Sequence, residues 1–150
     1  IEEGKLLGRE FENMAIAHDA GDIDTMVDRS QFSPSFANVV DAVNGMVQQH
    51  IDTKKKAIAF VIELAEGNFE AELEQFPRKK AFINEAMERV RGNFKGVVAE
   101  IEAIAVALVD GNFDVEVDLG RFSGTFRGVL ETMTSIIANF NGDRRNRKPV

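Results

Sequence analysis

Apolar residues recur along this chain in steps of four and three, and the stepping stops at three glycines. Before the first, the row reads Leu7, Phe11, Met14 and then His18. A second row runs Phe36, Val40, Val43, Val47, His50, Lys54, Ala57, Val61 and Leu64, with His50 and Lys54 standing where apolar residues are expected. A third, Ile83, Met87, Val90, Phe94, Val97, Ile101, Ile104 and Leu108, is unbroken and contains no proline. It spans about 38 Å of helix at 1.5 Å per residue. The fourth reads Phe126, Leu130, Met133, Ile137 and Phe140, then breaks at Asn141-Gly142. A sustained 3.5-residue period predicts helices whose narrow apolar stripe needs a partner helix.

Between the rows lie three similar segments. Gly21-Asp22-Ile23, Gly67-Asn68-Phe69 and Gly111-Asn112-Phe113 each start one, with a second apolar residue at Val27, Leu73 and Val117. A phenylalanine follows fifteen residues after each glycine, at Phe36, Phe82 and Phe126. Such a repeat defines the fold unit, here helix, glycine-started connector, helix. The connectors, residues 21–33, 67–79 and 111–124, are rich in Gly, Asp, Asn and Ser. The pieces Ile-Asp-Thr-Met-Val and Phe-Asp-Val-Glu-Val alternate as strands do, but an extended connector lying along helices alternates in the same way and is the reading adopted. Ser33 and Ser123 are expected as N-caps, with Pro34 in the first helical turn. The middle connector, ending Phe76-Pro77-Arg78-Lys79-Lys80, departs from the other two, and its outgoing row starts one residue later relative to its glycine. Both inner rows close one unit and open the next without a phase break.

Composition narrows the function. The net charge of −7 argues against a nucleic-acid face, which needs clustered Lys and Arg. With no cysteine there is no disulfide framework and no thiolate metal site. No stretch reaches the roughly 18 apolar residues of a membrane span, so no membrane contact is expected within these residues. Twelve Phe against no Trp and no Tyr favour packing over ligand recognition. The start, Ile-Glu-Glu, shows no signal peptide and reads as the beginning of an excised piece. The basic residues 141–150 carry no apolar row and are expected to form a disordered tail.

An amphipathic helix, a glycine, apolar anchors two and six residues on, and a second amphipathic helix together resemble the HAMP domain, the relay module of bacterial chemoreceptors, sensor kinases and cyclases. The run Gly-Asn-Phe-Glu-Ala-Glu-Leu-Glu-Gln-Phe-Pro with Ala81-Phe82-Ile83-Asn84 is similar to the tandem HAMP arrays of methyl-accepting chemotaxis proteins. The resemblance implies an all-α fold: a parallel homodimeric coiled coil of three stacked four-helix-bundle modules joined by shared continuous helices. It places the units at 1–55, 56–98 and 99–140. It makes Gly21, Gly67 and Gly111 the connector turns, and Ile23, Val27, Phe69, Leu73, Phe113 and Val117 the anchors. It also implies a cytoplasmic location, in a parent that an inner membrane can anchor, and partners that are a second copy of the chain and the adjoining sensory and signalling domains. One departure stands out: the second helix of a typical HAMP opens with an acidic residue and a nearby Gly, whereas these open with Phe-Ser-x-Ser/Thr-Phe or Phe-Pro-Arg-Lys-Lys.

Nothing in the repeat is catalytic, and no cofactor or metal is expected. His50 lacks the acidic neighbour and following proline of a phospho-accepting histidine, and reads as a polar seam residue that fixes register. His18 occupies the repeat position of Leu64 and Leu108; it reads as a core histidine beside a turn, with a pH-sensitive layer as the sharper alternative. Glu66, Glu70, Glu72 and Glu74 lack the spacing of a calcium loop and read as a solvated face. Three functions compete. The leading one is a signal relay that passes conformational change between input and output domains. The alternatives are a rigid coiled-coil spacer and a single-chain helical bundle that binds a small apolar ligand.

Overall fold

Each glycine that interrupts the apolar stepping ends a helix in the same way. In the computed structural model, which describes residues 2–146, Gly21, Gly67 and Gly111 have φ of 100°, 87° and 77°. Their amides donate to His18, Leu64 and Leu108, three residues back. The next amides, of Asp22, Asn68 and Asn112, reach the carbonyls of Ala17, Glu63 and Ala107 at 2.9, 2.9 and 2.8 Å. This pair of bonds is the Schellman motif, which satisfies the last helical carbonyls and requires a left-handed residue, where glycine carries no steric penalty.

The helices so delimited are α1 (Glu2–Asp19), α2 (Pro34–Ala65), α3 (Phe82–Val109) and α4 (Gly124–Asn146). A short 3-10 turn precedes each of the last three, and no strand occurs among the described residues. The all-α expectation therefore holds. Pro34 is the first residue of α2. Ser33 sits in the N-cap position and its carbonyl accepts the Ala37 amide at 2.8 Å, but its hydroxyl is turned away to donate to Glu3 at 3.0 Å. The cap with a side-chain bond is earlier: Asp28 accepts from the Ser30 amide at 2.9 Å and hydroxyl at 2.7 Å. Asp118 caps the matching turn before α4 through Gly120.

The second and third connectors alternate in burial, whereas in the first Thr25, Met26 and Val27 are half-buried or buried in succession. From Phe113 to Leu119 every odd-numbered residue is half-buried and every even-numbered one exposed. The inward set packs with Val97, Ile104, Phe122, Leu130 and Ile137 into one core shared by α3, connector and α4. Met14, Val27 and Val40 centre a matching core of α1, the first connector and α2, with Leu7, Phe11, Phe32, Val43 and Val47 packed against it. The chain divides into two compact units, Ile1–Ala59 and Phe60–Val150, and the boundary falls within α2.

One expectation is corrected. Residues 141–146 are not a disordered tail: α4 runs on through Asn146, and residues 147–150 lie outside those described. A glycine inside a helix costs about 1 kcal/mol. At Gly142 that cost is offset by neighbours that hold the connector: Asn141 bonds Asp114 at 3.0 Å, and the Arg144 guanidinium lies 4.6 Å from the Phe113 ring centroid. Arg144 and Arg145 also sit at the negative end of the helix dipole. In the middle repeat the outgoing row does begin one residue later. Phe36 and Phe126 are half-buried, but Phe82, at the same repeat position, is 66% exposed, and the next residues, Ile83 and Asn84, turn inward instead. The cause lies just upstream, where the 3-10 turn Arg78–Ala81 is one residue longer than its counterparts and Arg78 adopts φ 49°.

Two measurements follow. Gly111→Val puts a β-carbon at a left-handed position and should cost about 1 kcal/mol or more. Gly128→Ala, on an α4 face with open space around the added carbon, should instead stabilise by about 0.5–1 kcal/mol. Thermal melts should therefore move in opposite directions, and equal shifts would place the turn elsewhere. The Ser30 hydroxyl and amide hold the Asp28 carboxyl below its ordinary range, the hydroxyl contributing most. The stabilisation from that cap is present above the ordinary carboxylate range and is lost as pH falls through the lowered value. Ser30→Ala should raise the Asp28 titration midpoint in carboxyl carbon NMR; an unchanged midpoint would refute the bond.

Candidate functional site

If the chain transmits anything, the parts that couple one helix to the next are the connectors, so the candidate site is the set of side chains holding each connector in place. In the first connector the two anchors differ. Val27 is buried at 5% exposure inside the α1–α2 core, whereas Ile23 is 41% exposed and outside it. The Val27 backbone is read twice by Asn44 of α2: the Val27 amide donates to Oδ1 at 3.2 Å, and Nδ2 donates to the Val27 carbonyl at 2.9 Å. Two residues later, Arg29 Nε pairs with Asp41, its one N–H shared between the two carboxylate oxygens at 2.9 and 3.0 Å. His18 Nε2 donates to the Thr25 carbonyl at 2.7 Å, tying the end of α1 to the connector. His18 is thus a bonded residue of the turn, while His50 is exposed on α2.

The second connector presents Phe69 and Leu73, both half-buried. The Phe69 ring stacks on Phe94 of α3 with centroids 6.0 Å apart, and Phe94 meets Phe126 edge-on at 5.6 Å. In the third connector Phe113 stacks on Phe140 of α4 at 6.0 Å, under the Arg144 guanidinium, and Val117 joins the α3–α4 core. Five of the six expected anchors therefore face inward, and Ile23 does not.

A further set of contacts was not anticipated. Each connector ends on a phenylalanine that packs inward before the outgoing helix: Phe32 is half-buried, Phe76 and Phe122 buried. Phe122 fits against α3 because residue 96 is glycine; a β-carbon there would meet the ring at 3.2 Å. The sequence signal was the recurring Phe-Ser and Phe-Pro pairs at the connector ends. The polar ties were also missed. Asn44 and Arg144 look like ordinary flanks of an apolar row until the connector is seen lying against them.

The electrostatics are those of a scaffold. Glu70 is held below the usual carboxylate range by the Lys95 ammonium that pairs with it. Among the described residues no group of three or more His, Cys, Asp or Glu is placed to hold a metal ion, and no helix is long and apolar enough to cross a membrane. A groove open to solvent lies between Phe113–Glu116 and Thr134–Asn141. Apolar side chains remain partly exposed along the helices: Val39 and Met46 on α2, Val90, Phe94, Val98 and Leu108 on α3, and Val129, Ile136 and Phe140 on α4.

Comparison with known proteins converges on the same module. Residues 53–95, which contain Gly67, the second connector and its flanking helical segments, match the family described as HAMP N-terminal domain 3. Over 90 residues the chain is 33% identical to the methyl-accepting chemotaxis protein McpB of Pseudomonas aeruginosa, an alignment covering 60% of this chain and 13% of that protein. The chain thus spans a small part of the length of its relative, and carries a HAMP signature centred on its second connector.

Proposed function

We propose that this chain is a signal-relay module of a chemotaxis receptor, a parallel homodimer of three stacked HAMP bundles that passes conformational change between an input and an output domain. The observation that carries the proposal is the repeated junction: the same glycine turn and extended connector occur three times, and α2 and α3 each begin at one connector and end at the next. A helix shared in this way contains no loop to absorb a displacement. The HAMP match and the likeness to a chemotaxis receptor support the same reading.

Dimerisation is supported by the apolar side chains left partly exposed on α3 and α4, since a narrow 3.5-period stripe is half-covered by one connector and calls for a second helix. A dimeric bundle with two packings a few kcal/mol apart would let one end bias the other. The middle module, with its longer turn and displaced outgoing row, would then prefer a packing unlike its neighbours. Sensory and signalling domains of the parent receptor are the partners, and its location is the cytoplasmic side of a membrane. On this reading the chain catalyses nothing and the six anchors transmit the state.

Sedimentation equilibrium at micromolar concentration should give twice the chain mass, and a cysteine at Leu108 should crosslink to its symmetry mate. A monomeric mass without crosslinking sinks the dimer. Relay is separated from inert spacer by Phe69→Ala. Removing this half-buried ring should cost about 2 kcal/mol, below the roughly 3–5 kcal/mol of a fully buried aromatic. Spin labels at exposed Glu12 and Thr132 should then report altered intersubunit distances with helicity unchanged. A lowered melting temperature with both distances unaltered decides for the spacer.

A further inference from the structure

One residue beyond each apolar row runs a second, polar row, whose side chains make polar contacts to the connectors. On α3 it is Asn84, Glu88, Arg91 and Lys95, following Ile83, Met87, Val90 and Phe94 in the same 4-3-4 stepping. Asn84, the buried polar residue of the core, accepts the Phe76 amide at 3.0 Å and donates Nδ2 to the Glu74 carbonyl at 2.9 Å. Arg91, two turns further on, donates Nη1 to the Phe69 carbonyl at 2.7 Å. Its guanidinium also lies 4.7 Å from the Phe60 ring centroid on α2 and pairs with Glu88, Nη2 donating at 3.1 Å. Lys95 pairs with Glu70.

Among the described residues, the other outgoing helices use the same row at one end. On α2, Asp41 and Asn44 hold the late stretch Val27–Arg29. On α4, Asn141 and Arg145 both reach the early residue Asp114, at 3.0 and 3.7 Å. The α4 residues nearer its start bond within their own helix, Arg127 to Glu131 and Thr134 to the Leu130 carbonyl.

We propose that Asn84 and Arg91 form a two-ended clamp that locks the second connector to α3 in one axial register, so that the two move as a single body, while the polar rows of α2 and α4 hold the first and third connectors at one end. Apolar contacts tolerate a sliding neighbour because they have no direction. A paired amide does not: displacing the connector by one residue presents Asn84 with the wrong backbone groups and leaves buried donors and acceptors unpaired. Lys95–Glu70 reinforces the early end but is exposed and screened by salt. The clamp is made of contacts within one chain, so it stands independently of dimerisation and of the signalling reading.

The test is a spin-label distance between Glu72 on the connector and Arg89 on α3, both exposed, in full-length chain diluted with unlabelled copies. The parent protein should give one narrow distribution. Asn84→Ala and Arg91→Met should each leave it narrow, because the remaining end still holds. The Phe76 amide should nevertheless exchange at least tenfold faster in Asn84→Ala. The double variant should broaden or shift the distribution with helicity by circular dichroism unchanged. Should the double variant lose helicity, Asn84→Asp with Arg91→Lys is read in its place. A double variant as narrow as the parent overturns the clamp, and so does a single variant that broadens it fully.

Discussion

Everything in this chain follows from a backbone constraint: a helix that must stop, satisfy its last carbonyls, and send the chain back along its own side. The left-handed glycine with its two backward hydrogen bonds does all three within a few residues. Because those bonds are the same at Gly21, Gly67 and Gly111, each connector leaves its helix in a similar local geometry. The first inward residue follows two positions later in the second and third connectors, and side chains alternate from there. What differs among the three connectors is decided downstream, by the length of the 3-10 turn and by which polar side chain meets the backbone.

The helical rows, the glycine turns and the alternation of the second and third connectors were legible in the sequence because each rests on a periodicity or a single residue type. Spacing from the glycine says nothing of the local path at Ile23; the His18 bond to Thr25 and the Asn44 grip on Val27 shape that stretch, and Ile23 is exposed. The end of α4 was misread for a different reason. Asn141-Gly142 is a strong stop signal by local preference, but the side chains beyond it reach back to Gly111, Phe113 and Asp114, contacts from residues about 30 positions away. Asn84 and Arg91 were invisible for the same cause: a polar residue beside an apolar row has no local mark that it faces a backbone rather than water.

Phenylalanine carries a larger share of the packing than its number suggests. Stacked or edge-on pairs link Phe69, Phe94 and Phe126, and a separate pair joins Phe113 to Phe140. Such rings have preferred orientations as well as buried area. The Arg144 guanidinium lies over Phe113, and Arg121 over a further buried ring, Phe122. The core is therefore built from directional contacts in the same places where the connectors bend, and Gly96 gives up a side chain to admit one of them.

The exposed Phe82 means that the three repeats are not interchangeable parts. An α-helix turns about 100° per residue, so the one-residue displacement of the α3 row swings its inward face by about that angle relative to the glycine behind it. A chimera in which the second connector replaced the first would carry sound turns and sound helices, yet would aim the apolar row of α2 about a quarter-turn away from its core. Duplication of such a unit can lengthen the chain only if the phase of each junction is inherited together with the helix that follows it.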